Sequence, residues 1–477
     1  MTSTEQATPA PAPDQSATRK AVAAAAIGNA TEWFDFAAYS YVASIIGAQF
    51  FPELDKSAQL LSSFAVFAAS FLIRPIGSCF FGPLGDKIGR KRVLATTILL
   101  MSGATFVVGL LPTYAQVGIW APILLIVARM VQGFSTGGEY GGAATFISES
   151  APDKRRGFLG SFLEFGTLSG FTAGAVLVTL LTLGLPPEAM NTWGWRVPFL
   201  VGLPLGIIGL YLRLRLDESP AFQELQQQAT SEEVAQAPLK EALTKHWRDM
   251  LICVGIVILI NVADYTVLTY MPSYLTGVLK ISDQTALLMS VAVMVAMMVV
   301  ILPLGRLSDR IGRKPLMLIS AIGYLLFSYP AFLLLSMGRA LTTLIGLAII
   351  GFFLVCILAV IGSTLPAIFD TKVRYAGFAV SYNVSTSLFG GTAPLVVTWL
   401  VHKTGNQYMP AYYLMAAAAI AIVPIMLMKE TAGRPLRGTV AALQASRNEQ
   451  AGAGTSLPTG ISRLRGPGSE PGPRSDP

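Results

Sequence analysis

Ionisable residues stand inside the long apolar stretches of this chain: Glu32 and Asp35, Arg74, Arg129 and Glu139, Glu164, and Asp264. A charge in hydrocarbon is costly, so each is a functional candidate by default. Glu32 and Asp35 are spaced i, i+3, and Tyr39 follows Asp35 by one turn, so the three share a helical face. Arg129 and Glu139 are separated by almost three turns, about 15 Å along a helix axis, and lie on roughly one face. A carboxylate in this setting answers both to desolvation and to a nearby guanidinium, so it can gain or lose a proton as the guanidinium changes partner. An arginine can hold a carboxylate, and an acid or an aromatic face can hold an ammonium. Glu32, Asp35 and Glu139 are therefore the candidate proton carriers. Tyr39, Arg129, Asp264 and Tyr265 are the candidate contacts for a polar ligand. Plainer roles compete: Arg129 as a permanent structural bridge, Asp264 as a second protonatable group or a structural hydrogen-bonding side chain. Arg74 and Glu164 fall near helix ends beside a charged loop, and Glu164 is read with that loop.

The elements that must position these residues are membrane helices. The chain has 477 residues, of which 53% are hydrophobic and only 13% charged, about half the charge of a soluble domain. Apolar runs of about 20 residues recur. They predict an all-α membrane protein with twelve transmembrane helices, near 21–46, 59–82, 92–111, 118–147, 157–184, 194–214, 249–276, 284–305, 315–336, 340–367, 375–401 and 409–428. These divide into six-helix halves at 21–214 and 249–430, joined by a polar linker at 215–248. The tails, 1–20 and 431–477, are rich in Ala, Pro, Gly and Ser and are expected to be disordered. Cys79, Cys253 and Cys356 are scattered through apolar runs, and His246 and His402 stand alone, so no metal or redox pattern is present.

The halves repeat one another. GPLGDKIGRKRVL (Gly82–Leu94) recurs as GRLSDRIGRKPLM (Gly305–Met317), with Asp86 and Asp309 offset by 223 residues. A weaker pair is PDKRRG (Pro152–Gly157) against FDTKVRYAG (Phe369–Gly377). Duplicated membrane halves are typical of transporters, with the substrate held between them. In each strong copy the Asp ends one helix and the Gly-Arg-Lys segment turns into the next. Gly82, Asp86, Gly89 and Arg90, with Asp309, Gly312 and Arg313, are thus expected to latch the halves through helix termini and arginines of a neighbouring helix pair. Anchoring to anionic lipid is the competing reading, but it requires neither Asp nor Gly at fixed spacing.

Lysine and arginine set the orientation. Placing both termini in the cytoplasm puts 27 of the 34 Lys and Arg there and 5 outside, with Arg74 and Arg129 in helices. The net charge of +7 is thereby explained without a nucleic-acid partner.

The repeated G-x-L-x-D-[KR]-x-G-R-K loop resembles the signature of the major facilitator superfamily, and the resemblance covers about residues 20–430. GNATEWFDF (Gly28–Phe36), FLIRPIG (Phe71–Gly77), QGFSTGGEY (Gln132–Tyr140), WGWRVPF (Trp193–Phe199) and LDESPAF (Leu216–Phe222) look like its metabolite:proton symporter branch. PLGIIGLYLR (Pro204–Arg213), LTYMPSYL (Leu268–Leu275), STLPAIF (Ser363–Phe369) and MPAYYLM (Met409–Met415) look most like the proline/betaine transporters within it. The resemblance implies the major facilitator fold and proton-driven import of zwitterionic osmoprotectants. Some of those proteins carry a C-terminal coiled coil linked to osmotic regulation; this tail is Pro/Gly-rich and departs there.

The leading expectation is a proton symporter of small zwitterions in the inner (plasma) membrane, working by alternating access as a monomer without a cofactor. The alternative is a proton symporter of an organic acid such as α-ketoglutarate, another dicarboxylate or shikimate. A dianion favours a second cation near the site, and Arg74, read as peripheral, argues against it. An enzyme lacks a catalytic cluster or nucleotide loop here, and a sensor lacks a folded regulatory domain.

Overall fold

The apolar runs fold as helices, and the polar or proline-bearing breaks between them become turns. A computed structural model describes residues 15–88, 90–137, 139–214, 237–371 and 373–437. The N-terminal half comprises α1 (Gln15–Tyr41, resuming as Ala43–Phe50), α2 (Lys56–Leu72, then Arg74–Ile88), α3 (Arg90–Leu110), α4 (Trp120–Thr136, then Glu139–Ser150), α5 (Arg156–Gly184) and α6 (Val197–Leu214). The C-terminal half comprises α7 (Trp247–Asp264, continued to Val278), α8 (Asp283–Ile311), α9 (Arg313–Ser336), α10 (Ala340–Thr364), α11 (Arg374–Ser385, then Ala393–Thr404) and α12 (Met409–Leu427). Caps fix several starts: the Asp55 carboxylate accepts the Ser57 and Ala58 amides before α2, and Ser282 caps α8.

Nine helices among the described residues are long and apolar enough to cross a membrane. Those that carry Glu32 with Asp35, and Arg129, are not among them. In α1 the polar residues singled out above lower its hydropathy as a membrane span, whereas the part of α4 that carries Arg129, Trp120–Thr136, is 17 residues long.

Small residues let the helices approach closely. Gly166 and Gly170 recur every four residues on α5, where a Cβ would lie 2.3 and 2.2 Å from the carbonyl oxygens of Ala26 and Ala30 on α1. On α4, a Cβ at Gly133 would lie 1.7 Å from the Ser70 carbonyl of α2. These contacts bring α1, α2, α4 and α5 together around their polar side chains. The halves meet along α5 with α8, α1 and α2 with α7, and α2 and α4 with α11.

Both α7 and α11 widen into π turns at this seam, at Tyr265–Tyr270 and Thr386–Gly390. Such turns re-aim side chains and concentrate at functional sites. They pack on each other: a Cβ at Gly390 would lie 2.7 Å from the Tyr265 ring.

Two expectations change. The start of the C-terminal tail is packed: Thr431 bonds Arg313, the Arg434 carbonyl accepts from Arg156, and Leu436 is buried. Helix α2 also runs on to Ile88, past the expected end near residue 82, with Arg74 just after its turn at Ile73.

Candidate functional site

At the seam, Glu32 of α1 and Arg74 of α2 form a buried ion pair, with Arg74 Nη2 2.9 Å from Glu32 Oε1 and each side chain no more than 2% exposed. The Phe71 and Phe36 rings lie 5.0 and 5.8 Å from the guanidinium carbon. Arg74 is therefore not peripheral. Phe71, beside the guanidinium, meets Tyr265 of α7 edge-on at 5.3 Å, and its carbonyl accepts from Ser387 of α11 at 2.7 Å, so the C-terminal half packs against this pair.

Glu164 accepts a hydrogen bond of 2.5 Å from Tyr140 of α4, and the Tyr140 ring stacks on Tyr382 at 4.3 Å and 11°. Glu164 is thus buried at the seam, two turns into α5, and its described bonds do not join the latch with which it was read. Asp264 is buried opposite it, and its Oδ1 has no partner among the described residues; the same holds for the Tyr265 hydroxyl. Trp33 of α1 faces Tyr265 at 5.9 Å, which closes the aromatic contact between the halves.

Asp35 belongs to a second network, inside the N-terminal half. Thr105 of α3 donates to Asp35 Oδ2 at 2.9 Å, Gln132 of α4 donates to Thr105 at 3.0 Å, and Arg129 donates to Gln132. The Arg129 guanidinium carbon sits 4.3 Å from the centre of the Tyr39 ring. Tyr39 in turn donates to the Ser63 carbonyl at 2.9 Å. Each described partner of Arg129 lies in the N-terminal half, and its Nε and Nη2 have no hydrogen-bond partner there. Glu32 and Asp35 share a helix but divide between the seam and this inner network. The Phe36 ring stands between the two cations, 5.8 Å from Arg74 and 5.6 Å from Arg129.

At the face bearing the repeated loops, Asp309 of α8 accepts the Gly157 and Phe158 amides of α5 at 2.7 and 2.9 Å. A carboxylate of one half thus caps a helix of the other, where the helix dipole favours negative charge. The buried Arg313 donates to the Ser363 carbonyl and to Thr431, and its own amide donates to Glu430. Gly312 has φ 100°, and a Cβ there would lie 2.7 Å from Glu430 Oε2. Gly89, the surroundings of Gly82 and the side chains of Asp86, Arg90 and Glu139 lie outside what the structure describes.

Several contributors escaped sequence reasoning. Glu149 of α4 pairs with Arg374 of α11 at 2.8 Å, a further tie between the halves. Arg156 and Arg374 each reach back eight residues to a backbone carbonyl, of Ser148 and of Pro366. The weaker repeat contains both arginines and was the available signal. Thr105, Gln132, Tyr140, Tyr382 and Asn383 carry no charge, so no membrane-burial argument marks them. Asn383 nonetheless donates from α11 to the Gly137 carbonyl of α4 at 2.7 Å.

The family model described as "Sugar (and other) transporter" matches residues 21–242 and 223–441. The chain is 47% identical over 435 residues to a proline/betaine transporter of Salmonella typhimurium, covering 90% of this chain and 87% of that protein. It is 46% identical, with the same coverage, to a glycine betaine/proline/ectoine/pipecolic acid transporter of Dickeya dadantii. In fold it is similar to the major facilitator proton:xylose symporter XylE bound to 6-bromo-6-deoxy-D-glucose, with a TM-score of 0.70, 18% identity, and coverage of 91% of this chain and 99% of that one.

Proposed function

The chain belongs to the sugar (and other) transporter family of the major facilitator superfamily, and on that footing we propose that it carries small zwitterions such as proline and glycine betaine by proton symport. One observation carries the geometric side of this reading. The seam between the halves holds a buried guanidinium with Glu32, and the buried carboxylates Glu164 and Asp264 with the stacked rings of Tyr140 and Tyr382, the complement of a molecule bearing both charges.

Transport follows from the two networks. Substrate occupies the seam among Asp264, Tyr265 and the aromatic rings, where each half contributes contacts. Asp35, tied to Arg129 through Thr105 and Gln132, takes and releases the proton, and Glu32 and Glu139 are the further carboxylates available to it. A carboxylate that trades hydrogen-bond partners as the helices shift changes its proton affinity, which links proton movement to the conformational cycle. The face bearing the repeated loops is the cytoplasmic one by its Lys and Arg content, with both termini there and the protein in the plasma membrane. Its closure through Asp309–Gly157 and Arg374–Glu149 must release when that side opens.

The buried position of Arg74 removes one reason for setting aside an organic acid, since a second cation is now close to the site. Its charge is already balanced by Glu32, which leaves the zwitterion the better match. Uptake of labelled proline, betaine, α-ketoglutarate and shikimate into proteoliposomes under an imposed pH gradient tests the reading. Gradient-driven accumulation of proline or betaine is expected. Accumulation of the organic acids alone overturns it.

A further inference from the structure

We propose that Arg74, not Arg129, receives the substrate's carboxylate, with Glu32 as the residue that positions it. The inference rests on the zwitterion reading above and names the anchor within that site. Arg74 is 1% exposed and gives one nitrogen to Glu32, while its Nε and Nη1 have no hydrogen-bond partner among the described residues. Guanidinium donors buried without acceptors are unfavourable, and a ligand carboxylate supplies the missing acceptors.

Location decides between the two arginines. The Phe71 ring that Arg74 faces at 5.0 Å meets Tyr265 of the opposite half edge-on at 5.3 Å, and Ser387 of α11 donates to the Phe71 carbonyl at 2.7 Å, so Arg74 stands at the boundary between the halves. Arg129 has described partners in its own half only, with Phe36, Tyr39 and Phe67 around its guanidinium. A substrate carried by alternating access must touch both halves, and Arg74 is the cation that already does so. The ion pair with Glu32 and the rings of Phe36 and Phe71 hold the guanidinium in place before substrate arrives. Across the seam, Asp264 Oδ1 and the Tyr265 hydroxyl are buried without a hydrogen-bond partner among the described residues, and the Tyr265 ring lies 5.3 Å from that of Phe71; this pair is suited to the substrate's ammonium end. Carboxylate at Arg74 and ammonium toward α7 would draw the halves together from both sides.

The test measures thermal stabilisation of the purified full chain in detergent by proline and by glycine betaine. Arg74→Gln alone leaves the Glu32 charge buried beside a neutral group, a change that damages folding by itself. The paired variant Glu32→Gln/Arg74→Gln removes both charges and carries the test, with Arg74→Lys and Arg129→Gln beside it. The paired variant is expected to fold and to bind either ligand at least about tenfold more weakly, the fold-change of one charge-assisted hydrogen bond. Arg74→Lys keeps the charge but loses the planar fork and is expected to bind weakly too. A paired variant stabilised like the parent overturns the assignment and leaves a merely structural ion pair; loss of stabilisation in Arg129→Gln alone moves the anchor to Arg129. Should the parent be stabilised by neither ligand while transporting another solute, the zwitterion reading fails and the anchor falls with it.

Discussion

Asp309 accepts the backbone N–H of Gly157 at 2.7 Å across the boundary between the two halves. The geometry is specific to glycine: a Cβ at position 157 would lie 2.3 Å from Ser308 Oγ and 2.7 Å from Asp309 Oδ1. Asp309→Asn keeps an acceptor but removes the charge from the helix terminus. A loss of about 1 kcal/mol is expected, moving the balance between closed and open cytoplasmic states roughly fivefold toward open. Gly157→Ala is expected to move it the same way by forcing α5 and α8 apart. Spin labels at Arg155→Cys and Arg310→Cys, both exposed positions, report the distance between these helix ends. The exposed Cys79 is first replaced by Ser. An unchanged distance distribution in both variants would reduce the repeated loop to a lipid anchor.

On the proposed mechanism Asp35 serves coupling; its described hydrogen-bond partner, Thr105, lies within the N-terminal half. Asp35→Asn is expected to abolish uphill accumulation of proline under a pH gradient, while exchange of internal for external proline partly survives. Exchange moves no net proton. Both fluxes are measured in the same proteoliposomes, and normal gradient-driven accumulation by the variant rules Asp35 out as the proton carrier.

The helices and the C-terminal latch were legible because apolar length and a repeated motif report directly on them. Asp309 was found from its repeat, and the structure joins it to α5. Arg74 lies just after the turn of α2 at Ile73, and its partner, Glu32, comes from a neighbouring helix, which apolar length alone does not reveal. Hydropathy alone underestimates a helix that ends in a charged loop. Glu164 is misread for a different reason: the expected start of α5 is right to one residue, yet Glu164 lies about 12 Å into it, where packing against Tyr140 and not the loop decides its partners. The division between Glu32 and Asp35 was illegible on other grounds. Spacing puts two residues on one helical face, but a face is wide enough for its edges to meet different neighbours, here α2 and α3. Neutral partners such as Thr105 and Gln132 have no signature outside the packing that gathers them.

Glu430, just beyond α12, caps α9. Burial pushes its carboxyl up, but the amides of Ala432, Arg313, Lys314 and Thr431 outweigh burial and hold it below the ordinary glutamate range. A carboxyl depressed in the folded state stabilises above the unfolded value, about 4.3, and loses that contribution as pH falls through the folded value. Glu430→Gln is therefore expected to melt below the parent at pH 7, by about 1 kcal/mol as for a lost helix cap. The gap is expected to close as the pH drops below about 4. Melting curves of parent and variant from pH 3 to 8 decide the matter. A gap independent of pH would mean that the charge on Glu430 contributes nothing.

Arg129 completes the account, because the two arginines must now fail differently. Its guanidinium stacks 4.3 Å from the Tyr39 ring centre and reaches Asp35 through Gln132 and Thr105. Stacking over a ring and holding a side-chain amide both use the planar fork, which lysine lacks. Arg129→Lys preserves the buried positive charge, so the fold is expected to survive. The relay to Asp35 is expected to break, with gradient-driven accumulation of proline falling at least about tenfold. Binding is expected to persist, because Arg129 has no described contact with the other half. The two readouts are taken on one preparation: proline-induced thermal stabilisation in detergent, and accumulation after reconstitution. Retained stabilisation with lost accumulation places Arg129 on the proton side of the mechanism. Loss of both returns it to the substrate, and retention of both leaves it a structural residue.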